Sequence, residues 1–159
     1  MGRFLVVITS VFIVVISCVR AEALSLNLNL YSVDFGNMNM GDIKTEVPAQ
    51  GLTVTATTSA ATAGWTLKIR NEEPFRHQLN PASVIPNTQF RWYAVSTTGS
   101  ESRFTYPINQ REDFTYEKLI YTGVAGEEET DITLKFELAL PPILQSGTYT
   151  TRVIFTLTE

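Results

Sequence analysis

The sequence of 159 residues contains only one cysteine, Cys18, and only one histidine, His77. A disulfide within the chain is therefore excluded, and a zinc site of the usual kind, which needs several cysteine or histidine ligands, is nearly excluded. Many small exported domains depend on disulfides for their stability. A domain built from this chain must depend on a hydrophobic core instead, and a chain of this length can bury one.

Strong charge of either sign is also missing. The whole chain has a formal net charge of −4, with 12 basic and 16 acidic residues. Removing Arg3, Arg20 and Glu22 with the N-terminal segment discussed below leaves 10 basic and 15 acidic residues, and hence a net charge of −5. A mildly acidic surface argues against nucleic acid or an anionic membrane as the partner.

The sequence motifs of several large enzyme classes are absent. The chain has no G-x-S-x-G, no P-loop and no G-x-G-x-x-G. His77 would be a candidate general base or metal ligand, but its neighbours Arg76 and Gln78 favour a solvated loop residue. We therefore expect a protein without catalytic activity and without a cofactor.

Carboxylates form two small clusters in the sequence. Residues 127–129 are glutamates followed closely by Asp131, and Glu112 precedes Asp113. Paired carboxylates serve glycoside hydrolases, and clustered ones bind calcium. The chain lacks the D-x-D-x-D-G spacing of a calcium loop, so we interpret the longer run as a solvated turn. A carboxylate-based hydrolase stays open as a third class of function.

The first 23 residues have the composition of an export signal. Arg3 precedes an almost unbroken apolar run of 13 residues, 4–16, which is too short for a membrane span and suits a signal peptide. Ala21, Glu22 and Ala23 match a small-x-small cleavage site. We predict a signal-peptide helix over residues 1–23, Sec-dependent export, and one mature domain over residues 24–159.

A second interpretation of the same segment involves Cys18. Val15, Ile16, Ser17 and Cys18 resemble a bacterial lipobox, in which the cysteine is lipidated and becomes the first mature residue. Otherwise Cys18 is an ordinary apolar residue of the signal peptide. The two interpretations predict a lipoprotein anchor or a freely secreted protein, located in the periplasm, at the cell surface or outside the cell.

Apolar and polar residues alternate over most of the remaining chain, as they do in half-buried β-strands. The clearest case is the segment 147–158, where Tyr149, Thr151, Val153, Phe155 and Leu157 share one face. Segments 71–88 and 104–117 lack this period. The pattern predicts an all-β antiparallel sandwich of about seven or eight strands.

The alternation also predicts a core and a position for the first mature strand. We expect one buried cluster formed by Trp65, Leu67, Ile132, Leu134, Phe136, Val153, Phe155 and Leu157. Segment 24–31 alternates from its first residue, and we expect it to pair inside its own domain beside the final strand. Both sheets would then be closed, giving a folded monomer. The link between segments 52–57 and 65–70 is either a hairpin or a connection between sheets.

Aromatic side chains are the best candidates for ligand or partner contacts. Trp92 and Tyr93 are adjacent, so on a strand they point to opposite faces, and Tyr106 lies in a nearby irregular segment. Exposed rings of this kind stack on sugars or anchor a protein partner. The alternative, which we favour, is that these rings pack the loops onto the sheet.

Two pairs of short motifs resemble those of known bacterial families. Gly64-Trp65-Thr66-Leu67 and Phe155-Thr156-Leu157 are similar to the paired W-x-L elements of WxL surface domains, with Phe155 at the position of the second tryptophan. Val33-Asp34-Phe35-Gly36 and the terminal G-x-Y-x-x-x-V-x-F-T-L-T resemble spore coat protein U and related pilin-like domains.

These resemblances imply an immunoglobulin-like or fimbrial-type sandwich exported by a bacterium, without enzymatic activity. WxL domains attach to cell walls or surface proteins, and pilin-like domains join by donating an N-terminal strand to a neighbour. We therefore expect a cell-surface structural or adhesion domain. Its expected partner is a cell-envelope protein or a glycan, or another copy through strand exchange. The alternative is a carbohydrate-binding module that uses aromatic residues near Trp92.

Overall fold

The chain folds into an all-β sandwich of two sheets, as its alternating pattern predicts. A computed structural model describes residues 6–8, 11–17, 24–45, 51–58, 63–127 and 129–159, and for residues 6–8 and 11–17 it describes the backbone alone. The helical segments within these ranges are two short 3₁₀ turns, Asn87–Gln89 and Glu101–Arg103. No helix in the same ranges is long and apolar enough to cross a membrane.

Fifteen strands lie in the described residues, and seven of them have six or more residues. The others are short pieces at the margins of the sheets. In chain order the strands are β1 (Val6–Ile8), β2 (Val11–Ser17), β3 (Ser25–Leu28), β4 (Ser32–Val33), β5 (Gly36–Met38), β6 (Ile43–Thr45), β7 (Leu52–Thr57), β8 (Trp65–Asn71), β9 (Phe75–His77), β10 (Val84–Ile85), β11 (Phe90–Thr97), β12 (Glu112–Asp113), β13 (Lys118–Gly123), β14 (Glu129–Ala139) and β15 (Tyr149–Thr158).

One sheet, called here the β14 sheet, is organised around the longest strand. Its order is β12-β11-β14-β7-β3, and every pair is antiparallel. The short strand β6 continues the line of β7 along β14, pairing with residues 137–139. Strand β11 follows β14 through a register shift between Ala94 and Ser96. This sheet therefore has β12 at one margin and β3 at the other.

The opposite sheet, called here the β15 sheet, is organised around the final strand. Strand β8 and its continuation β9 run antiparallel along one side of β15, and β13 pairs with the far side of β8. On its other side β15 pairs with β2, which pairs in turn with β4. Because β7 and β8 lie in different sheets, the link between them is a connection between sheets and not a hairpin.

The eight side chains predicted to form the core are all buried in one cluster. On the face of the final strand that is expected to meet solvent, Ile154 is buried, at 2% exposed, so that part of the prediction is wrong. The inner face is as predicted, since Tyr149, Thr151, Val153, Phe155 and Leu157 are all buried. These predictions are confirmed because side chains alternate strictly across a strand, so one buried face fixes every second residue. The aromatic rings of Phe75, Phe90, Phe114 and Phe136 extend this core between the sheets.

The strand at the start of segment 24–31 is paired in cis, but not where we expected it. Residues Ser25–Leu28 pair with β7 at the margin of the β14 sheet, and not with the final strand in the β15 sheet. The expected position beside β15 is therefore wrong. Alternation shows which residues of a strand face the core, but it does not identify the neighbouring strand.

The predicted signal-peptide helix is also not observed in the described residues. Val6–Ile8 and Val11–Ser17 are strands, and β1 pairs with β5 in a separate two-stranded sheet. Both segments are rich in valine and isoleucine, whose β-branched side chains favour extended backbone. The predicted cleavage site at 21–23 and the predicted lipidation site Cys18 lie outside the described residues.

Phe155 offers a direct test of the core. Replacing this fully buried ring by alanine should lower the free energy of unfolding by ~3–5 kcal/mol, because the transfer free energy is lost and a cavity is left. Thr156→Ala on the other face of the same strand is the control and should change it by about 1 kcal/mol or less, since a half-buried threonine in a central strand loses only β propensity and little burial. Urea unfolding measures both changes, and equal midpoints for the two variants would contradict the assignment of faces.

Candidate functional site

The candidate site is the edge of β15 that faces away from β8, called here the acceptor edge. On this edge seven consecutive residues, 151–157, pair with residues 11–17 of β2 in parallel orientation. In the part of the chain that the structure describes, β2 is the only strand that pairs with this edge. This strand lies within residues 1–23, for which the sequence predicts an export signal.

The acceptor edge lies at the side of the hydrophobic core. Four of its residues, each at most 4% exposed, alternate along it: Thr151, Val153, Phe155 and Leu157. Their Cα partners in β2 are Val11, Ile13, Val15 and Ser17, respectively. Six of the seven residues of β2 are apolar, with Ser17 the exception, which is the near-continuous apolar run of a strand buried on both faces and not the alternation of a half-buried one.

The place of β2 is a slot between two strands. Beyond β2, Val33 of β4 pairs with Val11, and Ser32 pairs with Phe12. Neighbouring strands are spaced about 4.8 Å apart, so β2 fills a gap one strand wide between β15 and β4. Without β2 both β15 and β4 would have unpaired backbone groups facing this gap.

The other margins of the described sheets are short or covered. Strands β3, β10 and β12 have at most four residues each. The outer side of β13 is covered by the chain before it, because Phe104 bridges to Tyr121 and the Thr105 N–H donates to the Ile120 carbonyl. Short and covered margins are the usual protection against pairing with other chains. The acceptor edge has seven residues, and among the residues that the structure describes β2 is its one protection.

Trp92 and Tyr93, two of the three predicted ligand contacts, are buried. Trp92 points into the core, is 1% exposed, and meets the half-buried Tyr106 edge to face at 5.8 Å. Tyr93 lies on the opposite face, as predicted, but it is 8% exposed because the Arg111 guanidinium covers its ring at 4.9 Å. Neither ring presents a free face to a sugar, which favours the interpretation that they pack loops onto the sheet.

The covering of Tyr93 depends on a carboxylate between two arginines. The nearly buried Glu137 accepts a hydrogen bond from Arg111 Nε at 2.9 Å and lies 3.6 Å from Arg91 Nη1. The hydrogen bond with Glu137 and the charge of that carboxylate raise the pKa of Arg111. The network therefore fixes a charged outer surface on the β14 sheet over Tyr93.

A buried lysine that sequence reasoning did not single out lies beside Tyr106. Lys118 is 5% exposed, its ammonium donates to Glu112 Oε2 at 3.1 Å, and it sits 4.1 Å from the ring centre of Tyr116 and 5.6 Å from that of Tyr106. Burial lowers the pKa of Lys118, but hydrogen bonds with Glu112 and Tyr116 raise the pKa overall. The sequence does carry a signal for this burial, because Lys118 lies two residues before the buried Ile120 and alternate residues of a strand share a face.

His77 is a buried structural residue, so the predicted solvated loop position is wrong. It is 4% exposed and continues the buried face that begins at Phe75. Its Nδ1 accepts the backbone N–H groups of Leu79 and Asn80 at 3.1 and 2.9 Å. Nε2 must then carry the proton, which it donates to the Ser146 carbonyl at 3.1 Å. The ring thus joins two loops, and both of its nitrogens are engaged in hydrogen bonds to backbone.

The acidic turn is also held by structural bonds. Glu127 pairs with Arg103 at 2.6 Å and accepts a hydrogen bond from the Tyr121 hydroxyl, while Asp131 accepts one from Thr55. Burial, and then the charge of Glu127, raise the pKa of Tyr121. Among the described residues no three side chains of histidine, cysteine, aspartate or glutamate are grouped so that they could hold a metal ion.

No protein-family model matches this chain, and a search of curated proteins finds no match either. The similarity to WxL and spore coat protein U domains therefore stays an expectation drawn from the motifs.

The contact between His77 and Gly147 can be tested by adding one methyl group. Gly147 has φ +149°, and a Cβ there would overlap the imidazole ring. Gly126→Ala is the matched control, because φ is +79° and nothing lies within 4 Å of the added carbon. Gly147→Ala should cost about 1–3 kcal/mol more than the control, as overpacking does. In a His77→Ala background, adding Gly147→Ala should no longer cost more than adding Gly126→Ala, and an excess that persists in that background would contradict the contact.

Lys118 should make stability sensitive to alkaline pH. Its pKa is raised in the folded state, so its contribution is complete below the unfolded pKa of about 10.4 and is lost as the pH rises through the folded value. Unfolding free energy measured between pH ~9 and ~11.5 should fall more steeply for the native chain than for Lys118→Met. Tyr121 contributes a fall of the same sign to both proteins, so the difference reports Lys118 together with its interactions with Tyr106 and Tyr116, and parallel curves would refute this role.

Proposed function

We propose that this chain is an exported, non-catalytic structural domain of a bacterial cell surface, and that it joins a neighbouring protein by accepting a β-strand at the acceptor edge. The observation that carries the proposal is the pairing of this edge with β2. That strand lies entirely within the predicted signal peptide. A chain that begins at Leu24 would therefore have a seven-residue edge open beside its core.

An open edge of this length favours association. Backbone N–H and C=O groups on the free side of β15 need partners, and water satisfies them less well beside a buried core. An incoming strand would supply these partners, and its alternate side chains would cover Val153, Phe155 and Leu157. Strand addition to a sheet edge is an established mode of recognition, in which the backbone gives affinity and alternate side chains give specificity.

The charged side chains support a structural role. Glu137, Glu127 and Lys118 are each engaged in ion pairs that hold neighbouring segments together. His77 uses both ring nitrogens in hydrogen bonds to backbone. A catalytic group needs an accessible position with a free proton site or a free lone pair, and these groups do not have one.

A carbohydrate-binding module receives less support. Sugar stacking needs a flat ring with an exposed face. Trp92 and Tyr93 are covered, and the Trp92 Nε1 is buried without a hydrogen-bond partner among the described residues. Tyr106 is half-buried beside Lys118, which leaves Tyr116 as the exposed ring of this region.

The test uses the chain from residue 24 and a labelled peptide with the sequence of residues 11–17. We expect the chain either to form oligomers by itself or to bind the peptide saturably, and peptide binding should dissolve the oligomers. A peptide carrying Ile13→Asp and Val15→Asp keeps the length and is the control, because charges cannot replace apolar groups beside the core. A folded monomer that neither associates nor binds the peptide would overturn the proposal.

A further inference from the structure

We infer that the leader strand β2 acts as an internal occupant of the acceptor edge, so that removal of the leader is the step that makes the domain able to join a partner. The inference rests on the proposed function, because it concerns the regulation of the same edge. It goes beyond that function by naming the occupant, residues 11–17 of this chain, and the event that releases it.

The leader is attached to the fold at three places. Strand β2 pairs with β15 over seven residues, and its first two residues also pair with β4. Before it, β1 pairs with β5 from Val6 with Met38 to Ile8 with Gly36. Met38 is fully buried. A segment held at three places in the fold occupies the edge in a defined register, which a loosely attached tail would not do.

The predicted cleavage site lies between two strands of different sheets. Strand β2 ends at Ser17 in the β15 sheet, and β3 begins at Ser25 in the β14 sheet. A cut after Ala23 falls in the link between them, so it breaks the connection and leaves the residues of both strands intact. The mature chain would keep β3 paired with β7 while β2 loses its covalent attachment.

Loss of the covalent link changes how strongly β2 is held. A tethered strand has an effective concentration of about millimolar for its own edge, whereas a released peptide is present only at its concentration in solution. For the tethered strand, seven residues of pairing suffice to keep the edge occupied. The released peptide is lost from the edge on dilution. A strand carried by a partner then competes for the same edge without having to displace a tethered one.

The experiment uses the whole chain, refolded from denaturant, with Cys18→Ser and with a site for a sequence-specific protease in place of residues 19–22. Binding of a labelled peptide of residues 11–17 is compared before cleavage and after cleavage followed by size-exclusion chromatography. We expect the cut chain to bind the peptide at least about tenfold more tightly than the uncut chain, since the tether is lost. Equal binding by the two forms would overturn the inference and leave the proposed function standing.

A second measurement tests the occupancy without cleavage. Val14→Pro removes a backbone donor within β2, and Leu5→Pro in the same leader, outside β1 and β2, is the matched control. Hydrogen exchange of amides in residues 153–157 should become at least about tenfold faster with Val14→Pro and stay unchanged with Leu5→Pro. Unchanged exchange in both variants would overturn the inference. Protection by β2 together with a cut chain that neither binds peptide nor associates would instead refute the proposed function.

Discussion

The architecture depends on backbone hydrogen bonding along both edges of β15. This strand contributes four buried side chains to the core between residues 151 and 157, and it holds β8 and β9 on one side. Within the described ranges, its other side completes the sheet through β2 alone. Side-chain packing in a sandwich needs strands that are fixed in register, so the packing of Val153, Phe155 and Leu157 depends on what occupies each edge. The stability of the core therefore depends on the occupation of the acceptor edge.

The sequence predicts which side chains of a strand face the core much better than it predicts which strand lies beside it. Every predicted core residue is buried, because a period of two leaves little freedom once one face is apolar. Segment 24–31 was assigned to the wrong sheet, since the same alternation suits the margin beside β7 and the slot beside β15 equally well. The pairing of residues 11–17 was missed for a related reason. An apolar run rich in valine and isoleucine satisfies the composition of a signal peptide and that of a buried strand at once.

The burial of polar residues is harder still to predict from the sequence. His77 has two polar neighbours, which suggested a solvated loop, although its phase with Phe75 pointed inward. Lys118 is in phase with Ile120 and is buried through its pairing with Glu112 and two aromatic rings. In both cases a partner distant in sequence lowers the free-energy cost of burying the polar group. The partner is Ser146 for His77 and Tyr106 for Lys118. Such partners depend on tertiary structure, and local pattern carries no information about them.

The position of β15 in the chain has a consequence for the order of folding. The centre of one sheet is supplied by residues 149–158, which pair with residues 66–71 and with residues 11–17 at the other end of the chain. Contacts between residues so far apart close large loops, and they form slowly. During synthesis the β15 sheet cannot assemble until its central strand has been made, although the strands on both of its sides emerged long before. Until then the earlier strands of this sheet lack their common partner, and their apolar faces stay without a core to cover them.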